Sequence, residues 1–282
     1  MVTGAAGLVG RALVGRLQRE NTKVVPVIRN SSALADAVVL DLSKEGEKLP
    51  DLVKEPPEAV VHLAAVAPPR YPDTPENAQL TIQADRNVAA AVRSWGAKYL
   101  YVSTCGLYDP KTPEWKDESA KIETRTPYFS VKKMGEDGVL AMSGTIFRIS
   151  SPFGAGMIST LVVPQFIDAV LRRERISIWG SGKREQDFIS VSDIADAIVD
   201  ALARNSSGIF NIASGKPLSM NELAHLIVET CGRGKVVRDD KIDPLDGQTA
   251  RYEISRAAAI LQWKPKTELR DYVMQRCRME LR

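Results

Sequence analysis

Histidine is nearly missing from this 282-residue chain, which has only His62 and His225. A metal-centred mechanism therefore has little to build on, and no metal site is expected. The three cysteines, Cys105, Cys231 and Cys277, are odd in number and far apart. That pattern argues for reduced thiols in a cytoplasm and against both a disulfide framework and a zinc site. No apolar run approaches the roughly 20 residues that span a bilayer, and no leader-like segment opens the chain, so no membrane association is expected. Lys and Arg (38) exceed Asp and Glu (35) by only three, with no long basic block, so nucleic acid is not an expected partner.

The first two-thirds of the chain alternate short β-branched runs with helical patterns, which implies an α/β fold with a parallel sheet and helices on both faces. Strands are expected near Lys23–Ile28, Ala37–Leu40, Ala59–Leu63, Lys98–Ser103 and Thr145–Ile149. Only Met1-Val2-Thr3 precedes the first glycine turn, short of the usual strand of about five residues, so a few native N-terminal residues are expected to be missing. After Ser151 the pattern loosens into Pro- and Gly-rich pieces, then a helix near Val163–Arg173. The segments Phe188–Ala203 and Gly208–Ile212 read as strand, helix and strand that rejoin the sheet. The expected division is a dinucleotide-binding domain over 1–150, joined by 185–213, and a smaller, mostly helical substrate lobe from 151–184 and 214–282.

Gly4, Gly7 and Gly10 lie between the short first strand and the apolar helical run from Leu8 to Leu17. Glycines at such a turn let the backbone approach a pyrophosphate, and the helix N-terminus adds free N–H groups and a favourable dipole. Leu8 and Val9 open that helix and belong to the same candidate site. The second strand ends Val27-Ile28-Arg29-Asn30, with a basic residue where NAD binding favours an acidic one. Arg29, assisted by Arg11, suits the 2′-phosphate of NADP, which leans the expected cofactor from NAD towards NADP. Asp41 and Leu42, after the third strand, are placed to meet the adenine edge.

Tyr128 and Lys132 are four residues apart in the run beginning Thr126-Pro127. Threonine suits an N-cap and proline the first helical position, so a helix should start there with both side chains on one face. A phenol beside an ammonium is a proton-transfer device if the positive charge favours phenolate. The alternative is ordinary packing of a ring under a lysine stem.

These features occur with the His62-Leu63-Ala64-Ala65 run, Ser103-Thr104-Cys105-Gly106-Leu107-Tyr108, Gly180-Ser181-Gly182 leading to Asp187-Phe188, Phe210-Asn211 and Leu261-Gln262-Trp263-Lys264-Pro265. Taken in this order, the chain resembles the extended short-chain dehydrogenase/reductases of the NAD-dependent epimerase/dehydratase type, almost end to end. The resemblance implies a Rossmann-like doubly wound sheet and hydride transfer at a hydroxyl or keto carbon of a sugar or nucleotide sugar. It implies that Tyr128 is the acid/base, that Lys132 holds the nicotinamide ribose and lowers the phenol's pKa, and that Thr104 orients the substrate oxygen, with Ser103 as fallback. Leu63, Ala64 and Ala65 fall to the cofactor; His62 is expected to pack or cap behind it. Cys105, Ser151, Lys183, Arg184, Gln186 and Arg251 fall to the substrate. It also implies a homodimer through the helices near Asn77–Ser94 and Pro127–Met142, where Gly135 and Gly138 permit close approach.

The departures from the family pattern narrow the reaction. Cys105 and Gly106 stand where dehydratases carry an acidic pair, which counts against loss of water. Gln186 and Asp243 stand where nucleotide-sugar enzymes carry arginines for the diphosphate. Either Lys183, Arg184, Lys241 or Arg251 substitutes, or the substrate is a smaller carbonyl or polyol for an NADP-dependent reductase. Epimerase and reductase modes both remain open, as does a dinucleotide-sensing module without catalysis.

Overall fold

The computed structural model describes residues 1–30, 34, 36–44, 48–173 and 175–280. Its elements in chain order are β1 (Val2–Thr3), α1 (Leu8–Arg19), β2 (Pro26–Ile28), β3 (Val38–Val39), α2 (Leu49–Leu52), β4 (Ala59–His62), α3 (Pro75–Trp95), β5 (Lys98–Thr104), α4 (Pro127–Leu140), β6 (Thr145–Ile149), β7 (Ser151–Phe153), α5 (Val162–Arg173), β8 (Arg175–Ile178), β9 (Glu185–Gln186), β10 (Phe188–Ser190), α6 (Val191–Ala203), β11 (Gly208–Ile212), β12 (Leu218–Ser219), α7 (Met220–Cys231), β13 (Lys235–Arg238) and α8 (Leu269–Glu280). Seven parallel strands form the main sheet in the order β3-β2-β1-β4-β5-β6-β11. This is the doubly wound Rossmann order extended by one strand, and its switch point lies between β1 and β4.

Alternation along the strands assigns each side chain to a face. From β5, Leu100 and Val102 enter one core with Leu13 and Val14 of α1 and Ile194 and Ile198 of α6. Tyr99 and Tyr101 enter the opposite core with Ala84, Val88 and Val92 of α3 and Val139 of α4. A third cluster, built on Ile167, Ile176, Leu223 and Val273, is the core of the smaller lobe.

Several expectations need correction. Residues 23–25 stay outside the second strand, which begins at Pro26, and the third strand is limited to Val38–Val39. β10 pairs with β7 and not with the main sheet; of the segments expected to rejoin it, only β11 adds a strand, beside β6. The region after residue 214 holds two short strands besides its helices, β12 against β9 and β13 against β8; its last two residues, 281–282, lie outside those described. Cys231 and Cys277 are joined as a disulfide, with Cα atoms 5.6 Å apart, so only Cys105 remains a free thiol. The packing of α7 on α8 brings together cysteines 46 positions apart, which spacing alone could not show. Among the described residues no helix is long and apolar enough to cross a membrane.

Candidate active site

At the switch point the chain turns sharply from β1 into α1. Gly4 has φ +65°, and a Cβ there would lie 2.8 Å from the backbone nitrogen of Ala64. A Cβ on Gly10 would overlap the Gly4 carbonyl oxygen and stand 2.8 Å from Ala5 Cα. The turn therefore exists only with glycine at both places, which leaves a bare backbone cradle at the start of α1. Gly7 is the N-cap of that helix, and no side chain caps its first N–H groups.

A groove of about 630 Å³ runs from this cradle over the sheet edge, lined by the expected Gly4, Gly7, Leu8, Arg29, Asp41, Leu42, Leu63, Ala64 and Ala65. Arg11 and Arg70 line it as well. Arg29 lies 5.2 Å over the ring of Tyr71 and donates to its hydroxyl. Burial alone would raise the pKa of Asp41, but hydrogen bonds from Ser43 and the charges of Arg29 and Lys44 bring its carboxyl below the ordinary value.

The groove continues into a cleft of about 520 Å³ lined by Val9, Gly10, Thr104, Cys105, Tyr128, Lys132, Ser151, Arg184 and Gln186. Thr126 caps α4 by accepting from Phe129 N–H, with Pro127 at the first turn, as the local sequence predicts. The Tyr128 N–H is taken by Asp73 at 2.8 Å. Thr104 ends β5; its Oγ accepts from Gly106 N–H at 3.0 Å, which leaves its own proton to donate into the cleft. Ser103 lines the floor with a buried hydroxyl that has no protein partner.

Two electrostatic findings differ from expectation. Burial, then repulsion from Asp85 and Asp73, pushes the Tyr128 phenol well above the usual tyrosine value. The Lys132 ammonium donates to Val102 O (2.9 Å) and Tyr101 Oη (3.2 Å), and among the described residues no hydrogen bond joins it to the Tyr128 phenol. Burial pushes the Lys132 ammonium below its ordinary value, while Asp85 and Glu136 oppose the drop. Cys105 is buried, its thiol donates to Arg148 O at 3.1 Å, and burial holds it protonated. At Gly106 a Cβ would lie 2.6 Å from the Phe129 ring, so a side chain there would require that ring to move.

The substrate residues divide. Gln186 donates to Ser151 Oγ at 2.6 Å within the cleft. Arg184 lines the cleft but is bound to Asp243 at 2.8 Å. Arg251 is held in a two-pronged pair with Glu185 and, like Lys183, does not line the cleft. Lys241 lies over the Trp179 ring. Sequence reasoning missed Lys116, a buried cleft residue that donates to Thr112 O and Thr249 Oγ, and Arg125, which lies over the Phe129 ring; only their basic character was visible beforehand.

The chain is similar to several known proteins. UDP-glucuronic acid decarboxylase 2 of Arabidopsis thaliana is 26% identical over 96% of this chain, which spans 65% of that relative's length. GDP-L-fucose synthase 1 of the same plant is 29% identical over 97% of this chain and 90% of its own. The UDP-glucose 4-epimerase of Thermotoga maritima, solved with UDP-glucose, shares the fold with a TM-score of 0.86 over 100% of this chain and 99% of its own, at 24% identity. A family model described as the NAD dependent epimerase/dehydratase family matches residues 1–213. With a family match over most of its length and the cradle and cleft in place, the chain belongs to the NAD-dependent epimerase/dehydratase family.

Proposed function

We propose that this protein is an NAD(P)-dependent enzyme that transfers a hydride at a hydroxyl or keto carbon of a sugar or nucleotide sugar. The observation that carries this reading is the convergence of Thr104, Tyr128 and Lys132 in one cleft beside the glycine cradle. The cradle fits a dinucleotide pyrophosphate, since it closes if either Gly4 or Gly10 gains a side chain. When bound, the nicotinamide supplies or accepts the hydride. The Thr104 hydroxyl donates to the substrate oxygen and steadies charge that develops there. Tyr128, held as a phenol at neutral pH, gives its proton to that oxygen as a ketone is reduced, and recovers it in the reverse direction. Lys132 orients the ribose and keeps a positive charge at the cleft floor. Loss of water has no support, because the place for an acidic partner at Gly106 is filled by Phe129.

NADP is the favoured dinucleotide. Arg11, Arg29 and Arg70 line the groove, while the hydrogen bonds from Ser43 occupy the nearby Asp41. The family favours NAD, so titration of both into cofactor-stripped protein decides. A homodimer through α3 and α4, where Met134 and Leu140 are exposed, belongs to the same proposal, as does a cytoplasmic location, for which the Cys231–Cys277 disulfide removes the reduced-thiol argument. The similar proteins named above act on nucleotide sugars, which supports that substrate class. A smaller carbonyl or polyol is the second reading, favoured by the pairing of Arg184 with Asp243 and of Arg251 with Glu185, which neutralises cations that a diphosphate would need. Measurable UDP binding supports the first substrate class, and its absence the second. Tyr128→Phe should abolish turnover while leaving dinucleotide affinity within a few-fold; unchanged turnover would overturn the assignment.

A further inference from the structure

Behind the cleft, five side chains form one unbroken line of hydrogen bonds. Lys132 Nζ donates to Tyr101 Oη at 3.2 Å, and the Tyr101 hydroxyl donates to Asp85 Oδ2 at 2.9 Å. The other Asp85 oxygen pairs with His62 Nε2 at 2.9 Å, and His62 Nδ1 meets Thr3 Oγ at 2.6 Å. Thr3 Oγ also accepts from the N–H groups of Leu63 and Ala64. Its own proton therefore goes to His62 Nδ1, which places the ring proton on Nε2, facing Asp85. Thr3 immediately precedes Gly4, so the line runs from the dinucleotide cradle to the catalytic lysine. Gly135 makes room for it: a Cβ there would overlap the Tyr101 hydroxyl and stand 2.8 Å from Asp85 Oδ2.

We propose that Asp85 is a positioning residue for the reaction, acting through Tyr101 to hold the Lys132 ammonium in place and through His62 and Thr3 to tie it to the glycine turn. The proposal rests on the reading of the cleft given above. Lys132 is 3% exposed, and among the described residues no carboxylate forms an ion pair with it. Glu136, the other nearby acid, is spent on Arg148 in a two-pronged pair. A buried ammonium without counter-charge tends to lose its proton. Asp85, no more than about 6 Å away through the Tyr101 hydroxyl, supplies that charge. The remaining titratable groups facing this line, Tyr99 on β5, Tyr128 on α4 and Asp73 before α3, make no hydrogen bond with the ammonium.

The test follows the Lys132 side chain directly, by NMR of cofactor-free protein carrying lysine labelled with carbon-13 at Cε, its signal assigned by loss in Lys132→Arg. In Asp85→Asn, which keeps the shape of the side chain, the Lys132 titration midpoint should fall by about one pH unit, the low end of what an opposite charge at 4–6 Å contributes. The alkaline limb of kcat should move down with it while KM holds, because the lysine then loses its proton at lower pH. Asp85→Glu should restore part of both. An unmoved midpoint in folded Asp85→Asn protein overturns the proposal. Should that variant fail to fold, Asp85→Ser, which also removes the carboxylate but keeps a small polar side chain, decides in the same way. If the wild-type protein turns over no substrate, the functional reading fails, while the cofactor-free titration still decides whether Asp85 holds Lys132.

Discussion

Alanine at two glycines of α4, three positions apart, should move stability in opposite directions. In a helix interior alanine is better than glycine by about 0.8–1.0 kcal/mol. Nothing lies within 4 Å of a Cβ added at Gly138, so Gly138→Ala should stabilise the protein by nearly that amount. At Gly135 the same atom would overlap the Tyr101 hydroxyl, stand 2.6 Å from Tyr101 Cζ and meet Asp85 at 2.8 Å. Tyr101 is fully buried in the middle of β5, with its ring packed among sheet and helix side chains, and has nowhere to swing. Overpacking of this kind costs about 1–3 kcal/mol, and a buried hydroxyl pushed off its partners adds about 1–3 kcal/mol more. Set against the helix gain, the net loss is roughly 1–5 kcal/mol. Urea unfolding followed by circular dichroism should show the midpoint rising for Gly138→Ala and falling for Gly135→Ala at similar slopes. A rise of equal size at both positions would refute the placement of Tyr101 and Asp85 against α4.

Two further outcomes follow from buried groups. Glu136→Gln leaves the Arg148 guanidinium, 1% exposed, without its counter-charge, and should destabilise by about 3–5 kcal/mol, seen as a large drop in Tm; a drop within the scatter of surface substitutions would contradict the pairing. Tyr128 has a folded pKa above its unfolded value of about 10, so its contribution to stability is present below pH ~10 and is lost as pH rises beyond it. The ultraviolet signal of phenolate in wild type minus Tyr128→Phe should therefore appear only above the range of free tyrosine, and a signal below pH ~10 in cofactor-free protein would count against the raised phenol.

What was legible in advance is what lies close together along the chain. The glycine turn, the Thr126 cap and the pair at Tyr128 and Lys132 each occupy a few consecutive residues, so spacing and turn chemistry exposed them. The net direction of the Tyr128 shift, upward through burial and then Asp85 and Asp73, was not legible for the opposite reason. The groups that decide it, Tyr101, Asp85 and Asp73, lie tens of residues away and reach the site only once β5 and α3 pack against α4. Tyr101 read as one apolar residue of a buried strand, and the alternation that puts it on the face of Asp85 becomes informative only when the neighbouring helix is known. The same holds at the substrate end: Arg184 and Arg251 were visible as candidate anion binders, but Asp243 and Glu185, which neutralise them, meet them only because the chain after residue 240 returns to β9.

That contrast bears on how the cleft divides its work. The groups proposed for hydride and proton transfer come from β1, β5 and α4, all anchored in the sheet and its buried helices, where hydrogen bonds to Val102 O and Tyr101 fix Lys132. The outer wall comes from the 180–186 loop and the 243–252 segment, joined by two ion pairs: Arg251 with Glu185, partly exposed, and Arg184 with the buried Asp243. Partly exposed pairs contribute little to stability, whereas removing the partner of a buried charge is costly, so Arg251 leaves Glu185 more readily than Arg184 leaves Asp243. An anionic substrate group that displaced Asp243 from Arg184 would gain a charge-assisted contact but leave a buried carboxylate without its counter-charge, whereas one that took Arg251 from Glu185 would break a partly exposed pair. On the proposed reading the sheet-anchored half of the cleft carries the chemistry, and the substrate is chosen at the wall that holds Arg184 and Arg251.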